Sequence, residues 1–458
     1  MIYTLILFIF SLFPLLIGND GTKSHAHLLL IAFGIIGIIS INQKKDYWLY
    51  FTPNSLIFLY SIISLIFGAW GYANGYVIPK ENLLTYESWT HADASLTIIL
   101  LSLATLLAVD KVFHNRYLGQ ANREMPRATK WHLLATSILA PFFFLSVDLS
   151  ALGGSGDLSL IPKSAFAFVC ILYFSKLPTA RRWLAYFAII VSFATFSIHE
   201  KRDAIFLIFP MLYLEFLNNG KKISIKLLLL YTLVGALTMI LILTMSVARG
   251  YGGTGEHSNL ISAAPLILTY MNSDMFIAGL LNNIEANYFY FHGLNSINMV
   301  LNEPLLISLG STLIKPIFIF VPRDLVAWKP ESIISLYTTA HDPAFRAAGG
   351  SLPISIFSEL FWNFHLAGLA FTGFFAAIMA RLHIFMLNQH RNNRIFLFGF
   401  SLYAYMNIIT LSRGSGFDLY FMYVLFAGIS FLACSIVYSI LNVKHRTVSS
   451  LQDERASN

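Results

Sequence analysis

The sequence predicts an all-α, polytopic membrane protein with about 12 transmembrane helices and a large late periplasmic loop, and three observations carry that prediction. Hydrophobic residues make up 57% of the chain and charged residues only 12%, and the mean hydropathy is +0.67, well beyond soluble globular averages. The apolar residues fall in long continuous runs bounded by short polar loops. Strand-type alternation is absent from those runs, so helices and not a barrel satisfy the backbone in lipid.

Runs long enough to cross about 30 Å of hydrocarbon, allowing for tilt, lie near residues 2–18, 26–42, 53–71, 94–110, 132–148, 161–176, 183–198, 204–217, 227–248, 366–386, 395–412 and 419–442. The first, from Ile2 to Ile17, lacks a basic leader and a small-residue cleavage site, so it is expected to be a retained helix. Cys170 and Cys434 both sit inside apolar runs, which leaves no disulfide framework and no CxxC metal or redox site.

Lys and Arg in the short loops set the expected orientation. Lys44 and Lys45, the group from Lys111 to Lys130, Lys176 with Arg181 and Arg182, Lys221 to Lys226, Arg391 with Arg394, and Lys444 with Arg446 fall on one side if both termini are cytoplasmic. The net charge of +7 is therefore read as topology signal, with no nucleic-acid partner implied. Residues 249–352 form a connection far longer than usual, expected to be extracytoplasmic. Within it, Leu305 to Val321 is apolar but broken by Pro316 and flanked by Pro304 and Pro322, which predicts an interfacial or re-entrant element. From residue 443 onward the chain reads as a short disordered cytoplasmic tail.

The chemistry is expected in Val321 to Phe364. This stretch gathers Arg323, Asp324, Lys329, Glu331, His341, Asp342, Arg346 and Glu359 in a chain otherwise poor in charge. Such a concentration needs water, mutual pairing or a charged ligand. Gly349-Gly350-Ser351-Leu352-Pro353 reads as a helix start with amides free to face an anion. Glu359 and Asn363 then share a helix face at i and i+4. Glu359 is a candidate general base or an orienter of a sugar hydroxyl, and the plain alternative is a helix-N-terminal carboxylate paired with an arginine. His341 is the second candidate base, with Asp342 beside it to orient the ring, although a lone loop histidine is usually inert. Trp328 and the aromatics of residues 286–292 are candidate sugar-stacking groups, or ordinary interface aromatics.

Positive charge also stands on the side where the topology disfavours it. Arg202 lies in the cluster His199-Glu200-Lys201-Arg202-Asp203, Arg249 follows the ninth run, and Arg413 sits in the turn after the eleventh. Singly, these read as a solvated turn or as snorkelling helix ends. Together with Arg323 and Arg346 they suit a diphosphate carried by a lipid. The chain shows no P-loop, no dinucleotide fingerprint, no HExxH, no GxSxG and no Asp-x-Asp metal pair. Transfer from an activated, lipid-borne donor without metal or cofactor fits that inventory.

The late long loop, the segments HEKRDAIFLIFP and FVPRDLVAWKPES, and GGSLPISIFSELFWNFHLAGLAF resemble the bacterial oligosaccharide repeat-unit polymerases, the O-antigen (Wzy-type) family. The resemblance covers the chain from the seventh run onward. It implies a metal-independent glycosyltransferase of the bacterial inner membrane, joining undecaprenyl-pyrophosphate-linked repeat units on the periplasmic face, with a chain-length regulator as a partner. It implies further that Arg202, Arg249, Arg323 and Arg413 bind the lipid-linked pyrophosphate. Lys329, Arg346, Asn363 and Trp328 complete the expected substrate site, and the base is His341 or Glu359. A ligase acting on lipid A core, a lipid-linked oligosaccharide flippase and a membrane acyltransferase are the rival readings. A flippase would place charges along the spans and show repeat symmetry. An acyltransferase would bury a histidine in a span.

Overall fold

The computed structural model describes residues 2–42, 52–76, 89–114, 128–143, 160–196, 201–218, 225–250, 255–256, 260–274, 276–284, 286, 288–318, 321, 325–326, 328–412, 414 and 416–457. These residues are helical apart from their connections and one two-residue antiparallel pairing, Arg249–Gly250 with Gly255–Glu256. Among them, six helices are long and apolar enough to cross a membrane: Phe13–Ile41, Pro53–Ala73, Ala92–His114, Ile356–Arg391, Ile395–Ser412 and Phe417–Asn442. Helices Leu160–Phe174, Thr179–Phe196, Lys201–Asn218 and Ile225–Ala248 fall on the sixth to ninth expected runs.

The chain divides into two compact units. The first comprises Met1–Ala121, Thr232–Arg381 and Ile408–Phe421, and the second Asn122–Tyr231, Leu382–Asn407 and Met422–Asn458. In the first, Phe13–Asn42 packs on Pro53–Ala73 and Ala92–His114. Pro53–Ala73 starts as its sequence dictates, with Pro53 in the first turn and the Thr52 hydroxyl accepting from the Ser55 amide. Fully buried Phe33, Phe58, Leu65, Leu96, Ile99 and Leu103 fill the space between these helices. The first run is not one helix: Ile2–Ser11 ends at a turn, and Phe13–Asn42 is kinked at Gly18, where φ is 77°. Among the polar residues after the kink, Ser24 satisfies its hydroxyl within the helix, donating to Asp20 O at 2.9 Å. Asn19 donates to Trp89 O at 2.7 Å and accepts from Ala92 N at 2.8 Å, tying the kink to the start of Ala92–His114.

The described residues of the long connection form a succession of short helices. Its segments Tyr288–Asn302 and Pro304–Phe318 meet at 114°, as Pro304 and the apolar run after it lead one to expect of a broken element. The break falls at Glu303, whose non-helical backbone (φ −133°, ψ 82°) precedes the proline. Tyr288–His292 is a π-helical turn running directly into helix Gly293–Asn302.

In the second unit, Leu160–Phe174 is flanked by Lys130–Phe143, Thr179–Phe196, Lys201–Asn218 and Ile395–Met406. Arg182 donates to Glu215 Oε2 at 2.8 Å and to Leu177 O at 3.1 Å, so one expected loop cation is spent on a buried carboxylate and a helix end. Cys170 and Cys434 are free and buried. Helix Phe417–Ser457 runs past residue 443, where a disordered tail is expected; the terminal Leu, Gln, Glu, Arg and Ala are good helix formers.

Candidate functional site

Helix Ile356–Phe364 organises the site. Ser355 caps it, its hydroxyl accepting from the Ser358 amide at 3.2 Å, and the Ser358 hydroxyl donates to Gly293 O at 2.9 Å. The helix therefore starts at Ile356 and not at the glycine pair. Gly349 and Gly350 instead end the preceding helix Pro343–Ala347: Gly349 has φ +85°, its amide donates to Arg346 O, and that of Gly350 donates to Phe345 O. That is a glycine C-cap, and its amides are already used, which removes the expected anion-facing helix start.

Glu359 and Asn363 share one face of this helix, as expected, and both are buried. The carboxylate accepts from Thr312 Oγ1 at 2.9 Å and from the Phe417 backbone amide at 3.2 Å. Asn363 Nδ2 donates to Thr312 Oγ1 at 2.8 Å and to Glu359 O at 2.8 Å, while its Oδ1 is buried without a hydrogen-bond partner. Beside them Lys315 and Asp418 form an ion pair, with side chains 17% and 15% exposed. Glu359 thus caps the N-terminus of helix Phe417–Ser457, which is the plain alternative of the sequence reading with a helix end in place of an arginine.

One turn along, Trp362 meets Tyr337 edge-to-face, with centroids 5.9 Å apart, and Tyr337 lies parallel to His341 at 5.5 Å and 4°. Helix Ile333–His341, capped by Ser332, delivers both residues. His341 Nδ1 is 3.0 Å from Asn295 Nδ2, and the same Nδ2 donates to the Tyr337 hydroxyl at 3.1 Å. The Tyr337 hydroxyl is 2.9 Å from His292 Nδ1, and Trp89 Nε1 donates to Asn295 Oδ1 at 2.9 Å. The His292 and His341 rings are 5.4 Å apart. His292 Nε2 is buried with no hydrogen-bond partner. Burial lowers the pKa of His341 below the ordinary histidine value, and the neighbouring Asp342 charge opposes that only in part.

Asp342 does not orient the imidazole as expected: its Oδ1 accepts from Phe345 N at 2.9 Å, capping Pro343–Ala347. An Asp directly before a proline is a strong N-cap, and that local bond wins. The aromatics of 286–292 are core rather than sugar platforms, since Phe289, Tyr290 and Phe291 are buried, the last against Trp89 at 5.3 Å. Trp328 is 69% exposed and meets Phe318 edge-on. Lys329 Nζ donates to Val321 O at 3.0 Å, and Arg346 is exposed, with Nη1 3.4 Å from Gly350 O. Arg323 and Arg413 lie outside the described residues. Arg202 is in the first turn of Lys201–Asn218, and Arg249 has Glu256 as its antiparallel partner. Gly414, next to Arg413, has φ +101°, and a Cβ there would overlap the Ile354 carbonyl oxygen. The backbone just before Phe417 is thereby held against the lead-in to the Glu359 helix.

Thr312, Lys315, Asp418, Tyr337, Asn295, His292 and Trp89 join the site through tertiary packing and are not singled out by the sequence. A signal existed for two of them, because His292 and Asn295 stand three residues apart in a helical stretch and share a face. Among the described residues no group of three or more His, Cys, Asp or Glu could hold a metal ion. In comparisons with known proteins, no family model, no curated protein and no solved structure matches the chain.

Proposed function

We propose that the protein is a polytopic glycosyltransferase of the bacterial inner membrane that polymerises undecaprenyl-pyrophosphate-linked oligosaccharide repeat units into surface polysaccharide. In this reading twelve spans cross the membrane, both termini are cytoplasmic, and residues 249–352 face the periplasm. The observation that supports the proposal is that one of the two titratable groups singled out from the sequence lies on helix Ile356–Phe364 and the other packs against that helix through aromatic rings. Glu359 lies in that helix, and His341 is linked to it through Tyr337 and Trp362. An acceptor hydroxyl attacks the anomeric carbon of the donor, a carboxylate or imidazole handles its proton, and arginines 202, 249, 323 and 413 neutralise the leaving diphosphate. Positive charge aimed at the leaving group is the larger contribution.

A transport reading draws on different residues. Asp110 accepts from Thr52 Oγ1 at 2.8 Å and from Asn54 Nδ2 at 3.0 Å, and His114 lies 3.3 Å from the same carboxylate. These groups are buried at the end of an apolar helix, where ionisable side chains often mark a path. Reconstitution of the purified protein with synthetic undecaprenyl-pyrophosphoryl repeat units separates the two readings. A ladder of lengthened lipid-linked glycans, without added metal or nucleotide, supports polymerisation. Translocation of the lipid-linked unit without a ladder supports transport and removes the glycosyltransferase. Transfer onto added lipid A core, with no ladder, identifies a ligase instead.

A further inference from the structure

The hydrogen bonds around Asn295 leave little freedom in which proton sits where. The indole Nε1 of Trp89 is a donor only, so the Asn295 atom facing it at 2.9 Å is the acceptor, Oδ1. The amide orientation is then settled, and Nδ2 faces the Tyr337 hydroxyl, His341 Nδ1 and, at 3.7 Å, the weak acceptor Met299 Sδ. An amide NH2 has two hydrogens and no acceptor lone pair. His341 Nδ1 must therefore accept, and its proton resides on Nε2. Placing a proton on Nδ1 as well would set two N–H groups head to head at 3.0 Å. Nε2 has no partner among the described residues, and the His341 side chain is half-buried, in contrast to fully buried His292.

We propose that Asn295, locked by Trp89, is a positioning residue that fixes His341 as a neutral hydrogen-bond donor through Nε2–H, and that His341 binds a ligand oxygen and is not the base. The ligand class comes from the donor: a sugar hydroxyl or ring oxygen, or a phosphoryl oxygen, of the lipid-linked glycan. This last step rests on the glycosyltransferase reading, whereas the tautomer does not. The arrangement assigns proton removal elsewhere, and of the two candidates that leaves Glu359. The groups facing His341 are consistent with a ring that stays neutral. His292 stands 5.4 Å away, Phe291 6.2 Å, and Tyr337 stacks on it; Asp342, its one acidic neighbour in sequence, is engaged with Phe345 N.

The test needs no substrate. Full-length protein with nitrogen-15 in its histidine rings is placed in lipid nanodiscs, and the His341 signals are assigned by their loss in His341→Gln. At neutral pH the expected spectrum has an unprotonated Nδ1 and a protonated Nε2. Asn295→Asp replaces the donor by a carboxylate that still accepts from Trp89, so the protonated nitrogen switches to Nδ1 and the ring titrates at higher pH. Trp89→Phe frees the amide to turn over and yields a mixture of the two tautomers, which keeps the test open should Asn295→Asp fail to insert. A protonated Nδ1 in the unaltered protein, or spectra unmoved by whichever of these variants folds, overturns the proposal. Because the readout is a tautomer, loss of the glycosyltransferase reading in the ladder assay leaves this result standing.

Discussion

The carboxylate of Glu359 accepts the backbone amide of Phe417 across 58 positions of sequence, at 3.2 Å. One side chain therefore stands in the first turn of its own helix and at the N-terminus of another. Since the second carboxylate oxygen is held by Thr312, the group is anchored at both ends. Two properties are thus joined in one residue: it stabilises the junction, and in the proposed glycosyl transfer it is the base.

Those two properties separate by substitution. Glu359→Ala removes the acceptor of the Phe417 amide and of the Thr312 O–H hydrogen in a buried place, at roughly 1–3 kcal/mol for each. Glu359→Gln retains an acceptor and is expected to keep most of that stability. Thermal unfolding in detergent should rank the proteins unaltered, Gln, Ala. Glycan ladder formation should be lost in both variants, and a fully active Glu359→Gln would remove the base assignment.

The Lys315–Asp418 pair should show strong coupling. Removing either partner leaves a charge in a mostly buried site, at about 3 kcal/mol, whereas removing both is much milder. Lys315→Met and Asp418→Leu are each expected to lower the unfolding midpoint more than the double variant does. Additive losses in that cycle would mean that solvent already screens the pair.

His341 carries a pH dependence of stability. Burial lowers its folded-state pKa, so the unfolded chain protonates first as pH falls through about 6.5. Over the window from there down to the folded value the unfolded state binds more protons, and stability declines with falling pH. Above the window the contribution is constant. The midpoint of denaturation followed from pH 8 to pH 5 should fall less in His341→Gln, and equal slopes would contradict the burial argument. The same variant offers an amide donor in place of Nε2–H and is expected to retain more turnover than His341→Ala.

Gly414→Ala tests the turn that precedes Phe417. Its φ of +101° and the Ile354 carbonyl packed against the position a Cβ would take leave no room for a side chain. The backbone conformation alone accounts for about 1–3 kcal/mol, and relieving the clash must shift the residues next to Arg413. A lowered unfolding midpoint together with weaker diphosphate binding is expected. Gly75→Ala, also at positive φ but with open space around it, is the control and should affect stability alone.

Much of the helical scaffold was legible because lipid leaves the backbone few choices, and apolar runs such as 53–71 and 94–110 correspond to Pro53–Ala73 and Ala92–His114. Glu359 and Asn363 were legible from helical spacing alone. The His341 surroundings were not, since Trp89 lies 206 positions from Asn295 and His341 another 46 beyond it. Only tertiary packing brings those donors and acceptors together. Asp342 misled for the opposite reason: its nearest claim is local, on the helix that Pro343 begins. The glycine pair at 349–350 misled because glycine serves helix ends as readily as beginnings, and the deciding signal, Ser355, stands several residues later.

The π-helical turn at Tyr288–His292 has a consequence for how the protein tolerates change in length. A π turn holds one more residue than an α turn, so it acts as a phase shifter, rotating the chain before it against the helix after it by about 100°. Deleting a single residue from Tyr288 to Phe291 would restore a regular helix, yet rotate the residues before the deletion against Gly293–Asn302 and move the aromatic side chains that pack on Trp89. The helix would survive and the packing behind the polar network would not. Its five-residue length should therefore stay constant wherever the packing of Phe291 on Trp89 is kept.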